Sequence, residues 1–219
     1  MTTSVVPTYW PLFGLTITTP RLVLRPPTDD DFPDLLAAID AGIHDPAVMP
    51  FAMAWTDKPR QERERDSIQW WWRQRAEWKP EDWSLPLAVF LDGCAIGMQD
   101  VNAKQFAARR VVETGSWLTR SVHGQGFGKE VRAAALQLAF AELGAELALS
   151  EAFADNAASL GVSRSLGYCD NGMTRHAPRG EAKSSLGLRL ERAEWERRRT
   201  TYPAAEISGL DACSAMFGV

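Results

Sequence analysis

The sequence predicts an α/β (α+β) fold, a mixed, mostly antiparallel sheet flanked by helices on both faces. Three observations lead to it. An extended run from Val111 to Thr119 enters three glycines at alternate positions, Gly124, Gly126 and Gly128, and a helical pattern follows in Val131, Ala134, Ala135, Leu138 and Leu143. Two alternating stretches, Ser84 to Leu91 and Cys94 to Val101, flank Asp92-Gly93, a strong two-residue hairpin turn. Two helical stripes precede that hairpin, so helices and strands interleave along the chain. With 219 residues, 45% of them hydrophobic and 24% charged, the chain has the size and composition of one globular domain.

In order, residues 1–14 carry prolines and aromatics and are expected to lie across the surface. Leu15 to Arg25 is β-branched and reads as a first strand. Thr28-Asp29-Asp30-Asp31 supplies a cap and an acidic first turn for a helix showing Phe32, Leu35, Leu36 and Ile39. Residues 44–58, with Pro46 and Pro50, form a loop. A second helix spans about Arg60 to Lys79 with Ile68, Trp71, Trp72, Arg75 and Trp78 on one face; Trp71 and Trp72 are expected to pack, and Trp70 turns about 100° away from Trp71. After the hairpin comes a polar bend over residues 102–110, then the strand, glycines and helix already described, the helix ending near Gly144. Glu146 to Phe153 reads as a strand, with Leu147, Leu149 and Glu151 on one side and Ala148, Ser150 and Ala152 on the other. A short helix runs from Asn156 to Leu166 and stops at Gly167. Tyr168 to Arg175 and Ser184 to Arg192 read as the final strands, around a polar loop. Residues 1–195 form a single domain on this reading. Residues 196–219 form a tail, charged and then small and apolar, that docks on the domain or on a partner chain; a homodimer is left open.

Composition narrows the function. The net charge of −4 gives no electrostatic footprint for nucleic acid. Three widely spaced cysteines, Cys94, Cys169 and Cys213, argue against a disulfide framework, and no Cys/His cluster has metal-ligand spacing. No apolar run of 18 residues calls for a membrane, and no leader pattern opens the chain, so a cytoplasmic location is expected.

The glycines carry the chemistry. A helix start leaves N–H groups unpaired at the positive end of its dipole, and glycines allow backbone to approach an anion closely. One glycine would suffice for a tight turn; three in five residues point to a phosphate loop. A Walker loop needs Ser or Thr after its lysine, whereas Lys129 precedes Glu130. A dinucleotide fingerprint needs its third glycine at position 129. Neither nucleotide motif fits.

The frame His123-Gly124-Gln125-Gly126-Phe127-Gly128 resembles the acyl-CoA signature of the GNAT N-acetyltransferases, Gln/Arg-x-x-Gly-x-Gly/Ala, with His123 replacing the basic or amide first position. Asn156-Ala-Ala-Ser159 and Leu166-Gly-Tyr168 are similar to that family's Asn-x-x-Ser and Leu-Gly-Phe/Tyr segment. Glu113-x-Gly115-x-Trp117-Leu118 resembles the branch that acetylates ribosomal-protein N-termini (RimJ/RimL type). The resemblance implies an acetyl-CoA-dependent transferase acting on a primary amine, with a sheet splayed at its central strands and the first two helices flanking the acceptor cleft.

On that basis the amides from Gln125 to Lys129 are expected to hold the CoA diphosphate. Lys129, Arg132 and Arg164 either neutralise its remaining phosphates or are solvated surface charges. Trp117, Leu118 and Thr119 offer backbone edges to the pantetheine amides. Glu113 is the candidate base, acting directly or through water; otherwise it is an exposed strand carboxylate. An α-amine, with a pKa of roughly 7.7–8.0, is deprotonated at neutral pH for about 1 kcal/mol, against nearly 5 kcal/mol for a lysine at roughly 10.4. Ser163 stands where many family members have a tyrosine donor, so Ser159 becomes the candidate donor to the leaving thiolate. Asn156 contacts the cofactor, caps the helix, or both. Tyr168 reads as a core aromatic. The acceptor is a protein N-terminus or a small molecule. A non-catalytic acyl-CoA sensor is the competing class.

Overall fold

The computed structural model describes residues 9–219, so most of the stretch expected to cross the surface at the N-terminus lies outside it. The expected first strand is two strands, β1 (Thr16–Thr18) and β2 (Leu22–Arg25), antiparallel to each other. The break has a local cause. Pro20 has no N–H to give a ladder, and the Thr19 hydroxyl turns back onto Leu22, accepting from its N–H at 3.0 Å.

Helix α1 (Phe32–Asp40) follows a 3-10 turn over Asp29–Asp31, where Thr28 and Asp31 form a reciprocal capping box. Helix α2 covers Arg60–Ala76. Strands β3 (Asp82–Leu91) and β4 (Cys94–Lys104) form the expected hairpin; its turn residues Asp92 and Gly93 both have positive φ, 50° and 81°. The expected polar bend is shorter than the sequence suggested. β4 runs on to Lys104, and a single helical turn, α3 (Phe106–Arg109), buries Phe106 completely.

β5 (Val111–Leu118) leads through the glycines to α4 (Phe127–Gln137), which continues as a π-helical turn over Leu138–Glu142. Then come β6 (Leu147–Phe153), α5 (Ala157–Ser165), β7 (Cys169–His176), β8 (Lys183–Glu191), α6 (Arg192–Arg198) and β9 (Glu206–Ser208). The strands form one sheet in the order β7-β8-β6-β5-β4-β3-β2-β1-β9. Every pairing is antiparallel except β5 with β6.

Strand alternation divides the apolar residues between two faces. Leu85, Leu87 and Val101 join the larger core with α4, whose residues from Val131 to Leu136 are all buried. Ala88, Phe90 and Met98 join Phe32, Leu35, Ile39 and Trp71 in a second core beneath α1 and α2. Of the tryptophan run, Trp71 is buried, stacks on Phe32 at 4.8 Å and directs its Nε1 at Met98. Trp72 departs from expectation: it is half-exposed, one helical step round, and donates to Asp29 at 3.1 Å. The chain's last segment joins the domain: β9 pairs with β1, and Phe217 is fully buried edge-on between Trp78 and Trp83.

Candidate functional site

Parallel strands β5 and β6 deliver their C-terminal ends to one edge of the sheet, yet they pair only at Val111–Leu147, Val112–Ala148 and Glu113–Leu149. Beyond Glu113 they diverge. The Thr119 N–H donates to the Ile96 carbonyl of β4 at 2.8 Å, so the backbone groups of Glu113, Gly115 and Trp117 also turn to β4, and those of Thr114, Ser116 and Leu118 turn to the gap. The Thr114 carbonyl accepts from Ser150 Oγ at 3.3 Å, and the Leu118 carbonyl from the His123 ring at 2.9 Å. The amide and carbonyl of Ser116 and the amide of Leu118 stand at an edge that pairs with no strand.

At the end of that gap lies the glycine loop. Gly124 (φ 75°) and Gly126 (φ 82°) occupy the left-handed region, and Gly126 caps α4. The first-turn amides of Phe127, Gly128 and Lys129 therefore point outward from a helix end. A buried clasp fixes this turn to the β1–β2 corner. Glu130, almost fully buried, accepts from Thr19 Oγ1 (2.6 Å), Arg21 N (3.2 Å) and Arg21 Nε (2.7 Å), while Arg21 Nη1 reaches the Gln125 carbonyl at 3.0 Å and its guanidinium covers the Phe127 ring. His123 is turned back on the strand. Because a carbonyl only accepts, its Nε2 carries the proton there. Its ring ties the start of the loop to the end of β5. Gln125 Nε2 donates to the Ser121 carbonyl.

Across the gap, Asn156 caps α5 by accepting from the Ser159 N–H at 3.1 Å. α5 packs on α4 where Val162 meets the backbone at Gly128. Ser163 is fully buried with its hydroxyl unpaired. Tyr168 is buried, its hydroxyl 3.4 Å from Thr114 Oγ1, and burial raises its pKa.

The sheet presents different chemistry on each face of the gap. On the α4 side lies Arg132, which is buried instead of solvated. It is 4% exposed and points into the sheet, donating to Gln99 Oε1 (3.3 Å), to Ser150 Oγ of β6 (3.0 Å) and to Ser116 Oγ of β5 (3.3 Å). Its guanidinium bridges the two diverging strands without a carboxylate partner among the described residues. The sequence held a signal for this. Apart from Gln137, the residues around it from 131 to 140 are all apolar, so a charge within them has little solvated face to occupy.

On the α1/α2 side, β4–β5 register aligns Met98 with Trp117, Asp100 with Gly115 and Asn102 with Glu113. Glu113 is exposed, at the last paired step before the gap, and borders a groove of about 680 Å³ with Ser84, Asn102 and Gln74. Asp100 was not singled out from sequence. Its Oδ1 is sealed from solvent and has no partner among the described residues, and burial pushes its pKa up to about 7. Trp117 joins Trp55 at 6.5 Å, and Trp70 is half-buried at the margin of the same cluster.

On that face, beyond the gap, burial alone would raise the Glu151 carboxyl; hydrogen bonds from Thr174 and His176 outweigh it and hold the carboxyl low. The β7–β8 turn closes over toward the loop before α2: Arg179 binds Asp57, and Lys183 Nζ donates to the Met49 carbonyl at 2.9 Å. Arg164 is an exposed cation near Asp170. No group of three or more His, Cys, Asp or Glu residues that could hold a metal occurs among the described residues. No helix described is long and apolar enough to cross a membrane.

Comparison with known proteins agrees with this geometry. The family model described as the acetyltransferase (GNAT) domain matches residues 21–169. Among solved structures, Mycobacterium smegmatis RimJ in complex with CoA-disulfide superposes with a TM-score of 0.70 at 17% identity, covering 87% of this chain and 96% of that one. RimL, a ribosomal alpha-N-protein acetyltransferase solved with coenzyme A, gives 0.63 at 17%, covering 79% and 95%. A spermidine N-acetyltransferase SpeG chimera from Vibrio cholerae gives 0.62 at 13%, covering 81% and 99%. At these identities the likeness is one of fold, and the family match adds the chemistry. A sheet opened between two parallel strands, a glycine-capped helix at the mouth of the opening and a matched domain model over two thirds of its length make this chain a member of the GNAT acetyltransferase family, an N-acetyltransferase.

Proposed function

We propose that the chain moves an acetyl group from acetyl-CoA directly to a primary amine, a protein N-terminus or a small molecule, in a ternary complex. The observation that carries this reading is the unpaired edge of β5 beyond Glu113, opening beside the N-terminus of α4. The residues present suit the cofactor. Outward amides of Phe127, Gly128 and Lys129, with Gly124 and Gly126 letting the backbone come close, fit a diphosphate. The amide and carbonyl of Ser116 fit the amides of a pantetheine arm, as an added strand would. When bound, acetyl-CoA supplies an activated thioester.

This chain's own groups do the rest. The Leu118 amide faces the gap, where an N–H can stabilise charge growing on the acetyl oxygen. Ser159, beside the Asn156 cap, is the donor toward the leaving sulfur. Glu113, exposed at the closed end of the gap on the α1/α2 side, serves the incoming ammonium through water. The loop carrying Met49 and Asp57, held by Lys183 and Arg179, bounds the acceptor's entrance.

Calorimetry with acetyl-CoA and with free CoA tests the reading, with thiol release followed in parallel against peptides, polyamines and aminoglycosides. Heat with both ligands and thiol release with at least one amine is the expected result. Absence of heat with either ligand sinks it.

A further inference from the structure

We propose that Asp100 is the residue in direct contact with the acceptor nitrogen, receiving its proton as that nitrogen settles over Gly115 on the α1/α2 face of the sheet. This rests on the acyl-transfer reading above and names the group on which that reading turns.

Four observations converge. Asp100 is directly opposite Gly115 across the β4–β5 ladder, so the two share a face. Gly115 is two residues past Glu113, the last residue paired to β6, so it is the first position on this face to border the gap. A Cβ built on Gly115 would meet nothing within 4 Å, so the backbone beside Asp100 borders open space. Asp100 Oδ1 is shielded from water and has no hydrogen-bond partner among the described residues, while the residue as a whole is only partly buried, so its other carboxylate oxygen is the one left for an amine to reach. Gly115 lies three residues before the strand's end, roughly 10 Å at about 3.3 Å per residue. Trp117 extends the same face and offers an aromatic surface to a cation.

The charged groups around Asp100 can be named. Glu113 shares its face, and the groove that Glu113 borders carries Glu77, just past α2, with Lys79, Lys104 and Arg109. α1 brings apolar Leu35 and Ile39, its Asp40 being taken by Arg63.

The proton passes from the ammonium to Asp100, and the freed lone pair forms a bond to the acetyl carbonyl carbon. The carbon–sulfur bond breaks, and the sulfur leaves as thiolate and takes up the second N–H proton. Asp100 then releases its proton to solvent past Glu113. The chemistry selects the acceptor. With Asp100 near 7, taking a proton from an α-ammonium is uphill by about tenfold, and from a lysine-type ammonium by more than about a thousandfold. α-Amines are the favoured class.

The test compares wild type, Asp100→Asn, Asp100→Glu and Glu113→Gln, using acetyl-CoA and an N-terminal peptide. Asp100→Asn is expected to lower kcat/KM by about a hundredfold or more and to remove the acid limb near pH 7. CoA affinity by calorimetry should stay within about threefold, because the residue is off the cofactor's path. Asp100→Glu should restore the limb at reduced kcat, and Glu113→Gln should lower kcat by slowing proton release without removing the limb. In the ligand-free protein, infrared difference titration should detect a carboxyl changing near pH 7 that disappears in Asp100→Asn. Asp100→Asn turning over at wild-type rate with its limb intact overturns the assignment while leaving acyl transfer standing. A wild type that binds no CoA overturns both.

Discussion

Arg179 and Asp57 meet through two parallel hydrogen bonds of 2.7 Å each, joining the β7–β8 turn to the loop before α2. The guanidinium holds the Asp57 carboxyl below its usual range. For a lowered carboxyl the pairing is complete at neutral pH and is lost only as pH falls through that depressed value. Arg179→Ala is expected to raise the acceptor KM by about threefold or more with kcat little changed, while loss of so exposed a pair leaves stability nearly unchanged. Steady-state kinetics and a melting curve on the same sample check both halves.

Gly126 and Gly128 should respond oppositely to alanine. Gly126 has φ 82°, so Gly126→Ala is expected to cost about 1–2 kcal/mol in backbone strain and to weaken CoA binding. Gly128 is helical with ordinary space, its nearest neighbour Val162 Cγ2 at 3.5 Å, so Gly128→Ala should hold stability or add about 0.5 kcal/mol. Urea unfolding of the pair separates them.

Asp100 links stability to pH. Its folded value of about 7 lies above the ordinary 3.8, so the folded state binds the extra proton between those two values. Stability therefore falls as pH rises through that window and levels off above it. Asp100→Asn removes the slope and is expected to gain about 2 kcal/mol at pH 8, with little change near pH 4. Melting temperature against pH for both proteins measures it, without any ligand.

Phe217 should matter as much as a central core residue. Fully buried, with its ring centroid 5.4 Å from Trp78 and 5.0 Å from Trp83, it leaves a large cavity when truncated. Phe217→Ala is expected to cost about 3–4 kcal/mol, read from denaturant midpoints.

Sequence reasoning reached the elements whose cause is local. The Asp92-Gly93 turn needs two positive φ angles and therefore specific residues. The Thr28 cap, the Asn156 cap and the glycine loop are likewise written in neighbouring positions. What it missed arises from burial by distant parts of the chain. Arg132 looked like a solvated or phosphate-facing cation because helical spacing does not reveal what stands opposite. Asp100 sits in no motif; its significance comes from a partnerless carboxylate meeting an open space above a residue 15 positions later. Trp72 fell on the expected apolar stripe yet faces the margin, because Phe32 has room to stack with Trp71 alone. Splaying of the central strands entered through family likeness, and the three-residue β5–β6 register gives it a physical form.

The β1–β9 pairing makes the order of synthesis matter. Thr16–Thr18 meets its partner Glu206–Ser208 only after every other strand of the sheet has emerged, so the flank of β1 waits open while the rest of the sheet assembles. Contacts so distant in sequence form slowly, and a bare strand flank invites pairing with other chains. A newborn copy is thus most exposed to misassociation just before β9 clips into place.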